Sequence, residues 1–92
     1  MGVVLMAFRV LKWSVPVDDK FHGIGSGRVV LTACQYGPGS VEVWTEEKGE
    51  PVMRSARVVG TGHDAPDFTE HVGSAIAHGG ALVWHVYAEE TH

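Results

Sequence analysis

Apolar and polar residues alternate with a period of two along most of the chain, which is the spacing of strands. Over residues 8–17, Leu11, Trp13, Val15 and Val17 share one face, while Arg9, Lys12 and Ser14 interrupt the pattern. Pro16 has no N–H for a ladder, so it closes that strand or lies at an edge. Gly23–Gly27 reads as a turn. Residues 28–36 form the longest apolar run and predict a strand buried on both faces, ended by Gly37-Pro38-Gly39. Val41, Val43 and Thr45 then alternate with Glu42, Trp44 and Glu46 in a half-exposed strand, and a loop follows over residues 46–51. In 52–59, Val52, Arg54, Ala56 and Val58 oppose Met53, Ser55, Arg57 and Val59. The chain next enters a loop, Gly60-Thr61-Gly62-His63-Asp64-Ala65-Pro66.

Residues 67–78 carry two competing signals. Phe68, Val72 and Ile76 sit four apart, and an acidic start after Pro66 suits a helix N-terminus. Gly73 and the β-branched Thr69, Val72 and Ile76 weaken that helix. The balance predicts one short helical turn near 67–70, then a strand at 72–77 that returns through Gly79-Gly80 into Ala81–Tyr87 as a hairpin. The expected fold is mainly β: a compact antiparallel sandwich or open barrel of about six strands with at most one short helix. Residues 1–92 form a single β-rich domain in this reading, without repeats or low-complexity tracts.

Composition narrows the classes. Ninety-two residues that are 45% hydrophobic supply one compact core and exclude a multidomain enzyme or a wholly disordered chain. Seven Lys+Arg against eleven Asp+Glu give a net charge of −4. The basic residues stand singly, without the stripe that nucleic-acid phosphates require, so no nucleic-acid partner is expected. Cys34 is the single cysteine, which excludes an intramolecular disulfide and fits a reducing, cytoplasmic address. Its place in an apolar run reads as a small buried residue. The apolar start is too short for a signal sequence or a membrane span, so no membrane partner is expected. Met6 stands where myristoylation of Gly2 would want Ser or Thr. Residues 1–8 read as an N-terminal extension, with Met6 as an alternative start.

Three segments occur in order: Lys12-Trp-Ser-Val-Pro-Val-Asp-Asp19, Arg57-Val-Val-Gly-Thr-Gly-His-Asp64, and Val72-Gly-Ser74 followed by Gly79-Gly-Ala-Leu-Val-Trp-His-Val-Tyr87. Together they resemble a family of small proteins of unknown function found widely in bacteriophages and prophages, including those of actinobacteria. The likeness covers about residues 9–88. It departs at Gly73-Ser74, where many members have Gly-Thr. The resemblance implies a small, phage-encoded, non-secreted protein and leaves the chemistry open.

Among candidate sites, Gly60, Thr61, Gly62, His63 and Asp64 are the most site-like. Alternating glycines free backbone N–H groups for an anion, and the side chains add a hydroxyl, an imidazole and a carboxylate. The competing reading is a strand-exit turn in which Gly60 and Gly62 take positive φ and His63 and Asp64 cap it. A phosphate loop would add a Lys and open a helix, and neither is visible. His71 and His85 lie nearly symmetric about Gly79-Gly80 and so can meet. Two ligands fall short of a zinc site, and no metal or other cofactor is expected. Cys34 lies mid-strand and Ser74 lacks an elbow motif, so neither reads as a nucleophile.

Trp84 shares a face with Leu82 and Val86 and reads as core. Trp44 stands among Glu42 and Glu46, where a large aromatic suits an interface. His85 and Tyr87, opposite Trp84, offer a second contact surface. The leading functional expectation is a non-enzymatic phage accessory protein that binds a host protein, or itself as a homodimer, through a preformed β surface. The alternatives are a minor virion component, and a small-ligand or nucleotide site for binding, sequestration or hydrolysis at Gly60–Asp64.

Overall fold

The computed structural model describes residues 9–37, 39–48 and 52–91. They form two antiparallel sheets packed as an open sandwich. The first sheet holds β1 (Arg9–Pro16), β3 (Arg28–Ala33) and β4 (Ser40–Glu47) in the order β1-β4-β3. The second holds β2 (His22–Gly23), β5 (Met53–Gly60), β6 (Glu70–Ile76) and β7 (Val83–Thr91) in the order β2-β5-β7-β6. A single 3₁₀ turn at His78–Gly80 joins β6 to β7. Gly79 and Gly80 take φ of 69° and 75°, the left-handed region in which glycine carries no steric cost. Among the described residues, no helix is long and apolar enough to cross a membrane.

The two-residue alternation selects the core. Val15, Val41 and Val43 from the first sheet meet Ala56, Val58, Ala75 and Val86 from the second, and Ile24 is inserted between β2 and β3. Each is at most 3% exposed, and full burial of a Val or Ile contributes about 1.5–3 kcal/mol. Trp13 and Trp84 pack against this cluster from opposite sheets. The Trp13 indole N–H donates to the Oγ1 of buried Thr45 at 2.9 Å, so a polar group inside the core is satisfied.

Three expectations are revised. The apolar run over 28–36 is an edge strand ending at Ala33, with Val30 44% and Leu31 57% exposed. A shift of register between Val29 and Leu31 turns those side chains out. The segment 67–70 makes a non-helical turn with Phe68 at φ 59°, and β6 begins at Glu70. Glu42, placed by alternation on the outer face, is fully buried, because the chain after β3 folds across it. The proposed N-terminal extension and the choice between Met1 and Met6 lie outside the described residues, as do residues 49–51 of the 46–51 loop.

Candidate functional site

β7 divides its side chains as the alternation requires. Val86 and Ala88 face the core, Trp84 packs against it, and His85 and Tyr87 lie on the outer face of the four-stranded sheet. Across the ladder, His85 opposes Val59 on β5 and Ser74 on β6, and Tyr87 opposes Arg57 and His71. Strict alternation would put His71 and Ser74 on opposite faces. A register shift between His71 and Gly73 brings both to the outer face. The rings of His71 and His85 then stand 5.8 Å apart, and His71 meets Tyr87 edge-on at 5.3 Å.

A continuous hydrogen-bond chain crosses this face. Thr61 Oγ1 donates to the Val83 carbonyl at 3.2 Å and lies 2.9 Å from His85 Nε2. Because its one proton points to Val83, Thr61 accepts from Nε2–H. His85 Nδ1 is then the acceptor for the Ser74 hydroxyl at 3.0 Å, and Ser74 Oγ accepts from His71 Nε2 at 3.1 Å. Both nitrogens of His85 are engaged, so its ring is held in one orientation.

The glycine loop completes the site. Gly60 ends β5 in extended backbone; its restriction is steric, since a Cβ there would lie 3.1 Å from Trp84 Cζ3. Of the two loop glycines, Gly62 alone has positive φ, at 91°. The Thr61 N–H donates to Val83 O and the His63 N–H to Gly60 O, at 3.3 and 3.1 Å. Two of the loop's N–H groups, those of Thr61 and His63, therefore hold the turn. Together, Val59, Gly60, Thr61, Gly62, His63, His71, His85 and Tyr87 line a shallow depression of about 380 Å³.

Six residues singled out from sequence meet here: Gly60, Thr61, Gly62, His63, His85 and Tyr87. Asp64 is exposed and outside the lining. Trp44 is on the other sheet, half-buried, opposite Lys12 on β1 and Leu31 on β3. Lys12 Nζ sits 6.0 Å over its ring and 4.9 Å over that of Tyr36, and donates to the Tyr36 hydroxyl at 2.7 Å. Sequence reading missed Ser74 as a partner of both imidazoles. The small-residue pair Gly73-Ser74 inside a strand pattern was the available sign of a bulge.

Two further titratable groups, Glu42 and Cys34, lie outside this depression. Glu42 accepts from Gln35 N, Ser40 Oγ and Ser14 Oγ at 2.9, 3.0 and 3.1 Å. Burial opposes its ionisation, yet these bonds and one from the Tyr36 amide hold the carboxyl below its usual range. Burial, with the nearby Glu42 charge, pushes the Cys34 thiol up, the reverse of what a nucleophile requires. Among the described residues, no group of three or more His, Cys, Asp or Glu side chains is placed to hold a metal ion.

Fold and site thus define a small two-sheet β-sandwich with an imidazole- and hydroxyl-lined depression on one outer face. The chain belongs to the family described as domain of unknown function DUF7352, whose model matches residues 6–92. No curated protein and no solved structure matches it significantly.

Proposed function

We propose that this chain is a non-enzymatic binding protein, a phage-encoded accessory factor of the host cytoplasm, that holds a small ligand on the outer face of its four-stranded sheet. The observation that carries this reading is convergence. Residues from β5, β6, β7 and the 60–63 loop, distant in sequence, form one depression whose His85 ring is fixed from both sides. Its volume lies within the range of small-molecule sites, and preorganised polar groups lower the ordering cost of binding. The phage attribution rests on the sequence resemblance, and the cytoplasmic one on the lone Cys34.

A thermal-shift and NMR screen of a metabolite library tests the reading. A ligand at a hundred times its Kd adds about 2.7 kcal/mol, and that gain should disappear in His85→Ala. No library member perturbing Gly62, His85 or Tyr87 would sink it.

A second reading rests on Trp44. Leu31 beside it is 57% exposed and Tyr36 is 69% exposed, which supports contact with a host protein or a second copy on the opposite sheet face. Co-purification or dimerisation abolished by Trp44→Ala would support it, and a monomer without partners would count against it.

A further inference from the structure

We infer that the depression formed by β5, β6, β7 and the 60–63 loop recognises an oxyanion, a phosphate group above all, and binds it more tightly as its imidazoles become protonated. This rests on the small-ligand reading above and adds the chemical class of the ligand.

The lining is the basis. In a chain of net charge −4, no Asp or Glu among the described residues lines this depression. Its polar side chains are the imidazoles of His63, His71 and His85, the Tyr87 phenol and the Thr61 hydroxyl. An imidazolium has two N–H donors and no acceptor, so protonation adds donors at His63 and His71 and adds charge at His85, whose two nitrogens face Thr61 and Ser74. Charge-assisted bonds from such donors to an oxyanion are about twice as strong as neutral ones. The His85–Ser74–His71 chain adds a mechanical link. Protonating His85 Nδ1 removes the acceptor of the Ser74 hydroxyl, which must turn away, and two cationic rings 5.8 Å apart then favour a shared anion between them.

The surrounding charges are mixed. Arg57 opposes Tyr87 across the ladder, with one guanidinium nitrogen 3.7 Å from Asp19. On the far side of His71 lies a groove holding Arg28, Arg54, Glu70 and Glu90, in which Arg54 pairs with Glu70 at 3.5 Å. Asp18 and Asp19 share with His63 a smaller cavity behind the loop, and Asp18 is bonded to His22 at 2.8 Å. These carboxylates stand outside the depression. Imidazole is the side-chain type whose ordinary charge change falls between mild acid and neutrality, which sets the pH range of the test.

The test is an NMR titration of the full chain with inorganic phosphate and, because it does not titrate in this range, with sulfate, at about pH 5.5 and about pH 8. Both anions should shift Gly62, His63, His71, His85 and Tyr87, with Kd roughly tenfold or more lower at the acid pH, equivalent to at least one pKa unit of linkage. His85→Gln and His71→Gln should abolish that pH dependence with core resonances unmoved, and His22→Gln, outside the site, should retain it. Glycerol phosphate and a nucleoside monophosphate distinguish a free from an esterified phosphate, and tighter binding of either supports the inference. Equal affinity at both pH values, or loss equally in His22→Gln, overturns it. No anion shifts alongside a neutral or cationic library ligand at the same residues overturns the anion inference and leaves the binding site standing. Silence from both removes the site itself.

Discussion

Thr32, on the edge of the three-stranded sheet, donates a hydrogen bond to the carbonyl of Ser74 on the edge of the facing sheet at 2.6 Å. The bond ties the scaffold to the outer-face cluster, because Ser74 also carries the hydroxyl between His71 and His85. The close approach requires that Gly73 have no side chain: a Cβ there would lie 2.7 Å from Thr32 Cγ2 and 2.8 Å from its Oγ1.

Gly73→Ala should therefore destabilise the fold by about 1–3 kcal/mol, the usual cost of forcing an extra methyl into packed surroundings. The β-branched Thr32 side chain is stiff and bonded, so it yields poorly. Thr32→Ala removes the obstacle, and urea melts of the double variant should show less loss than the sum of the two singles. Strict additivity would refute the contact as the cause.

Trp13 and Trp84 make a matched pair for a second prediction. Trp13 donates to buried Thr45, whereas the Trp84 indole nitrogen is buried with no hydrogen-bond partner among the described residues. Replacement by Phe trims similar volume in each case. In Trp13→Phe the Thr45 hydroxyl loses its donor inside the core; in Trp84→Phe an unpaired N–H is removed. Trp13→Phe should cost the more, by about 1–3 kcal/mol, in parallel chemical denaturation of both variants. Equal losses would mean that the Thr45 bond contributes nothing net.

Glu42 fixes the acid limit of stability. Its folded-state pKa is lowered from an ordinary value near 4.5, so the unfolded chain binds the extra proton first as pH falls. The contribution is complete above that ordinary value and is lost as pH drops through the lowered one. Glu42→Gln should cost about 1–3 kcal/mol at neutral pH, because its amide donors face the donors that held the carboxylate. The gap in denaturation midpoint between wild type and variant should begin to narrow as pH falls below about 4.5 and close only below the lowered value. A gap that stays constant with pH would show that the carboxylate is not stabilised in the fold.

Most of the sandwich was legible from the two-residue alternation, which places Val15, Val43, Val58 and Val86 inward without reference to anything else. What escaped was decided by single-residue irregularities and by chain crossing. An uninterrupted apolar run reads the same in a central strand and in an edge strand; the order β1-β4-β3 puts 28–33 at the edge, and the shift at Val30 turns Val30 and Leu31 outward. Glu42 kept its outward position in the alternation, but the backbone of Gln35 and Tyr36 covers it and supplies its bonds. At the site, His85, Tyr87 and the glycine loop were visible as unusual residues. Ser74 was not, since one bulge at β6 reverses the face on which alternation places it. Trp44 lies on the opposite sheet from the depression.

The direction of the outer-face hydrogen-bond chain is itself measurable. With the Thr61 proton on the Val83 carbonyl, His85 must carry its proton on Nε2 and accept from Ser74 at Nδ1. Long-range ¹H–¹⁵N spectra at neutral pH should show His85 as the Nε2–H tautomer. Thr61→Val removes the acceptor of that proton and frees the ring to exchange tautomers. Because the bond is exposed, global stability should change by no more than about 0.5 kcal/mol. Ser74→Ala should release Nδ1 as well, and should simultaneously uncouple the His71 resonances from His85. An Nδ1–H tautomer in the wild type would reverse every donor along the chain, making Thr61 the donor to His85 and Ser74 the acceptor from it.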